Sequence, residues 1–120
     1  MTYAEMSDPD LCRKIAELLG WTNISYGFRF VCGTKDGQRV NSDAWPTSLA
    51  ACLRDFDGIL LQRGLGWLIA TKENMGYEVH IYPLTPKQKN QFECTVESET
   101  VDRIAHAFCE AWLQAMEGGE

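Results

Sequence analysis

The chain has no excess of positive charge: 11 Lys and Arg stand against 17 Asp and Glu in 120 residues, a formal net charge of −6. A basic footprint of the kind that wraps a phosphate backbone is missing, so direct nucleic-acid binding is not expected. The acidic excess is scattered and too small for an acidic tail or a DNA mimic. No apolar run approaches the roughly 20 residues that span a bilayer. The opening MTYAEMSDPD is acidic and lacks the apolar centre of a secretion signal. These absences predict a cytoplasmic protein with no membrane partner. Cysteine occurs five times, at 12, 32, 52, 94 and 109, but no two stand as C-x-x-C. Neither a zinc knuckle nor a redox motif is indicated, and all five are expected as reduced thiols without metal, most of them as small buried hydrophobes. Internal repeats, low-complexity tracts and a dividing linker are absent too, and the length fits one domain over residues 1–120.

What is present is a succession of patterned segments. SDPDLCRKIAELLGW opens with Ser7 as a cap and Pro9 in the first turn; Leu11, Ile15, Leu18 and Leu19 form one stripe, and Gly20 stops a helix over about 8–19. Tyr26, Phe28, Phe30 and Cys32 alternate with Gly27, Arg29 and Val31, which predicts one strand with an aromatic face. Asp36-Gly37 between two short extended runs is a hairpin signal. It is not a phosphate-binding glycine loop, which needs a lysine directly before Ser or Thr and a following helix.

In WPTSLAACLRDF, residues Leu49, Cys52, Leu53 and Phe56 recur at helical spacing and predict a second helix over 46–57, ending near Gly58 or running on to Gln62. Asp43 or a neighbouring hydroxyl would cap it, Pro46 suits its first turn, and Trp45 is placed to staple onto that turn. Trp67, Leu68, Ile69 and Ala70 are apolar on both strand faces, as in a central strand covered on two sides. Tyr77, Val79 and Ile81 alternate with Glu78, His80 and Tyr82, and Phe92, Cys94 and Val96 point inward in a third run. The last helix, over about 99–116, carries Val101, Ile104, Ala105, Phe108, Trp112 and Met116 on one stripe, with Ser98 as cap and Gly118-Gly119 as stop. The order α-β-β-α-β-β-β-α, rich in sequential hairpins, predicts an α+β fold with a mostly antiparallel sheet.

Three pieces, AELLGW ending at Trp21, WPTSLAACLRDF at 45–56 and ESETVDRIAHAFCEAWLQA at 97–115, together resemble the phage ABA-sandwich domain family of small phage and prophage proteins. Where that family commonly has tyrosine and serine, this chain has Trp45 and Pro46, and its final helix carries the bulky Phe108 and Trp112. The resemblance implies a three-layer α/β/α sandwich, read here as one sheet of four to five strands with three helices. It implies a phage or prophage source and no catalytic residues.

The side chains that carry chemistry give little support to catalysis. His80 and Cys94 would need to meet as a nucleophile pair, but strand parity sends them to opposite faces. His106 with Asp102 and Glu110 four residues to either side reads as a surface helix arrangement, a weak metal site at most. Asp43, Asp55 and Asp57 read as a solvated helix end. Among the aromatic residues Trp21, Trp45, Trp67, Tyr77, Tyr82 and Trp112, most belong to the core, and Trp45 and Tyr82 are expected to be partly exposed and to border a binding surface. The leading reading is a non-enzymatic phage protein that binds a protein partner or itself, without cofactor or metal. The alternative is an anti-defence protein that sequesters a host signalling nucleotide, for which Arg29, Arg39 and Arg63 are the cations at hand. A small enzyme comes third.

Overall fold

A computed structural model describes residues 3–27, 29–71, 76–84, 94–98 and 103–118. Helix α1 spans Asp8–Leu18, with the Ser7 hydroxyl accepting from the Asp10 backbone N–H at 3.3 Å. Its stripe of Leu11, Cys12, Ile15 and Ala16 is fully buried.

Three antiparallel strands follow, β1 (Thr22–Gly27), β2 (Phe30–Lys35) and β3 (Gln38–Asp43), in sheet order β1-β2-β3. Asp36 and Gly37 both take positive φ, at 54° and 77°, and make the expected hairpin turn. The single strand expected across Tyr26–Cys32 is instead two. Gly27 pairs with Phe30, and the chain reverses between them with Arg29 at φ 68°. A period of two cannot reveal a two-residue reversal when its left-handed position holds an arginine and not a turn-forming residue. Gly33 lets this sheet close on α1's exit: a Cβ there would stand 3.1 Å from the Trp21 ring and 3.0 Å from the Thr22 carbonyl oxygen.

Trp45–Thr47 form a single 3₁₀ turn, and helix α2 runs Leu49–Gln62. Ser48, in extended backbone, caps it through a 3.2 Å bond from the Ala51 N–H. The helix therefore starts three residues later than expected, because the cap is Ser48 and Pro46 belongs to the preceding turn. It passes through Gly58 to Gln62.

A second antiparallel sheet contains β4 (Leu65–Thr71), β5 (Tyr77–Pro83) and β6 (Cys94–Ser98), in the order β4-β5-β6. β4 is thus an edge strand, not the sheet interior expected for Trp67–Ala70. Its inner face packs on α2, with Trp67 meeting Phe108 of the last helix, while Leu68 on the other face is 42% exposed. The strand is apolar on both faces because one apolar face is left open among the described residues. Two three-stranded sheets replace the single sheet of four to five strands in the expected three-layer sandwich; the α+β class and the three helices stand.

Helix α3, Ile104–Gly118, is the centre of the molecule. Every residue from Ile104 to Leu113 is buried, so the helix is enclosed on all sides rather than along one stripe. It packs on β5, β6, α2, α1 and the 3₁₀ turn. A chain of rings joins the two halves: Trp21 meets Trp45 at 5.4 Å, Trp45 meets Phe56 at 6.4 Å, Phe56 stacks on Trp112 at 4.3 Å, and Phe108 meets both Phe56 and Trp67. Aromatic pairs at such distances add about 0.5–1.5 kcal/mol each beyond area burial. No helix among the described residues is long and apolar enough to cross a membrane.

Candidate functional site

The two aromatic residues expected at a binding surface part company. Trp45 is 0% exposed, because its ring lies between Trp21 and Phe56 and its indole N–H donates to Asp55 Oδ2 at 2.7 Å. The expectation of a partly exposed Trp45 is corrected: it can anchor α2 but cannot touch a partner. Tyr82 is half-buried on the outer face of the second sheet. Its ring lies over Gly66, where a Cβ would come within 3.2 Å of Tyr82 Cζ and 2.8 Å of Leu84 Cδ2.

That outer face is built by strand alternation. Gly66 faces Tyr82, Leu68 faces His80 and then Thr95, and Ala70 faces Glu78 and then Glu97. Leu68 and Leu84, 42% and 47% exposed, flank the Tyr82–Gly66 pair and make an apolar strip along the β4 side. On the β6 side His80 Nδ1 lies 3.0 Å from Thr95 Oγ1, and His80 Nε2 lies 2.8 Å from Glu78 Oε2. Strand register puts Thr95, not Cys94, opposite His80. A hydroxyl–imidazole–carboxylate row has the wiring of an activated nucleophile. The row ties β5 to β6 through the His80–Thr95 pair.

A cavity of about 690 Å³ opens between the β1–β2 turn and the start of α3, lined by Arg29, Pro46, Thr47, Leu49, Arg103, Ile104 and Ala105. The guanidinium groups of Arg29 and Arg103 make no hydrogen bond or ion pair among the described residues, whereas that of Arg54 is held by Asp55 and the Ser42 hydroxyl. Of the three arginines expected to converge on a ligand, only Arg29 lines the cavity. Arg39 is exposed on β3 opposite Thr34, and Arg63 is exposed as the C-cap of α2. Arg103, the second cation, was not singled out by the sequence: it stands where an ordinary charged residue would open a helix.

Cys12 and Cys52 both lie against the Trp45 backbone, and Cys109 lies beside Cys52. Cys52 Sγ donates to the Trp45 carbonyl at 3.1 Å and lies 3.7 Å from Cys109 Sγ. Burial pushes the Cys12 thiol up to about 12, with a Trp45 backbone hydrogen bond opposing only in part, and burial raises Cys109 as well. These three and Cys32 are free thiols; the side chain of Cys94 lies outside the described residues. His106, expected on the surface, is 3% exposed, with Nδ1 3.1 Å from Glu110 Oε2 and Nε2 3.9 Å from Asp8 Oδ1. Asp102 lies outside the described residues, and among those described no group of three His, Cys, Asp or Glu could hold a metal.

No protein-family model, curated protein or solved structure matches this chain.

Proposed function

We propose that this is a small non-enzymatic phage or prophage protein that acts by binding in the host cytoplasm, and that it first binds a second copy of itself through the edge of β4. The carrying observation is the contrast among the four strand edges. β4, LGWLIAT, holds no charged residue. β3 carries Arg39 and Asp43, β6 is short and carries Glu97, and β1 has an irregular register between Thr22 and Ser25. Charge, shortness and bulges are the devices that protect an edge from pairing, and β4 has none of them. Two copies that each carry −6 repel, so the neutral strip is where they can approach. Antiparallel pairing centred on Leu68 sets Gly66 across from Ala70 and Leu65 across from Thr71, and it keeps both sheet faces continuous.

A seven-residue ladder is short, so the dimer is concentration-dependent. Sedimentation velocity checks the reading: the wild type shifts toward twice 13.6 kDa as concentration rises, and Leu68→Lys stays monomeric while folded. A purified wild type that is monomeric throughout, as it would be if a foreign extended peptide filled the edge, overturns self-pairing.

A further inference from the structure

The geometry points to a second, independent binding function: we propose that the cavity between the β1–β2 turn and α3 binds a small organic phosphate, with Arg29 and Arg103 clamping the phosphate group. The cavity, at about 690 Å³, is the size of a small-molecule site, which spans roughly 300–1,000 Å³. Its lining divides by chemistry. Two guanidiniums supply the cationic part, and Pro46, Leu49, Ile104 and Ala105 supply an apolar part. The Thr47 hydroxyl is committed to the Ala44 carbonyl at 3.0 Å, so recognition of an anion falls to the arginines. Guanidinium forks match phosphate oxygens in paired hydrogen bonds, which ammonium groups cannot do.

Two features set these arginines apart from ordinary surface charge. The chain is acidic, and Arg54 on α2 is already paired with Asp55, yet the Arg29 and Arg103 guanidiniums lining one cavity make no ion pair among the described residues. Arg29 also occupies a left-handed backbone position, φ 68°, where the neighbouring hairpin uses Asp-Gly. A long side chain is disfavoured there. The turn is held in place by the Ala44 N–H donating to the Arg29 carbonyl at 2.8 Å, which sets Arg29 beside Pro46 and Thr47. The apolar part of the lining distinguishes a phosphorylated organic molecule from a free inorganic anion. The site uses no residue of β4, so it stands or falls separately from self-association.

Isothermal titration calorimetry of the full chain with inorganic phosphate, ribose 5-phosphate and AMP tests the site, with Arg39→Gln as an exposed control. The expected result is that at least one of the two organic phosphates binds roughly tenfold or more tightly than inorganic phosphate. Arg29→Gln and Arg103→Gln should each weaken that binding by a similar factor with an unchanged circular dichroism spectrum, and Arg39→Gln should leave it alone. No binding of any of the three at millimolar concentration overturns the proposal. Equal binding of inorganic phosphate overturns the ligand class, and binding undiminished in Arg103→Gln overturns the clamp.

Discussion

The indole N–H of Trp45 donates to the Asp55 carboxylate at 2.7 Å, and ten residues apart in the other direction the Trp67 indole donates to Asp57 at 2.8 Å. Two aspartates, two residues apart on α2, thus grip the chain on either side of the helix. One holds the turn that leaves the first sheet, and the other holds the edge strand of the second. Asp55 and Asp57, expected as a solvated helix end, are the acceptors that orient two of the four tryptophans.

Trp45→Ala should cost about 3–5 kcal/mol, the range for a fully buried large aromatic. Besides its area, the substitution removes the link between Trp21 and Phe56 and leaves the Asp55 carboxylate with one partner fewer. Urea denaturation of wild type and variant measures it; a change below about 0.5 kcal/mol with an unaltered m-value would remove the anchor role.

Asp55 makes stability depend on pH. Burial alone would raise its pKa, but hydrogen bonds from Arg54 and from Trp45 outweigh this and hold the carboxyl below its ordinary range. A carboxyl depressed in the folded state stabilises the fold above its unfolded pKa, and that contribution is lost as pH falls through the folded value. Acid titration of unfolding should therefore show stability dropping below about pH 4, the ordinary aspartate range, with a shallower drop in Asp55→Asn. Parallel curves for the two proteins would contradict the assignment.

The thiols make a kinetic prediction. Cys12, Cys52 and Cys109 are each 0% exposed, and burial disfavours the reactive thiolate of Cys12 and Cys109. Iodoacetamide at neutral pH should leave these three unmodified in the native protein and label them on unfolding, with Cys32 reacting earlier. Intact native mass spectrometry should find no bound zinc. Rapid native labelling of Cys12 or Cys109 would show that the α1–α2–α3 junction opens.

Much of this fold was legible in the sequence where a local rule decides it. Ser7, Pro9 and Gly20 bound α1, Asp36-Gly37 turn the first hairpin, and the spacing of Cys52, Phe56 and their neighbours marks α2. Two features were not legible, for opposite reasons. The reversal at Arg29 has no turn-forming residue in its left-handed position, so aromatic alternation runs straight through it. The edge position of β4 is set by which strands pair, and apolarity on two faces looks the same whether the second face is covered by a helix or open to a partner. Of the candidate sites, Tyr82 and Arg29 were singled out from the sequence, while Arg103 emerges only when the fold brings the start of α3 to the same cavity as Arg29.

Self-pairing through β4 is tested most directly by a cysteine at its centre. Residues directly opposite in an antiparallel pair have Cα atoms about 4.5–5.5 Å apart, within the span a disulfide bridges. Leu68→Cys, oxidised gently with diamide, should give a disulfide-linked dimer on non-reducing electrophoresis. Wild type and the exposed α2 control Ala50→Cys should remain monomeric. A Leu68→Cys protein that stays monomeric while its thiol remains open to alkylation, or an Ala50→Cys control that cross-links equally well, would contradict the account.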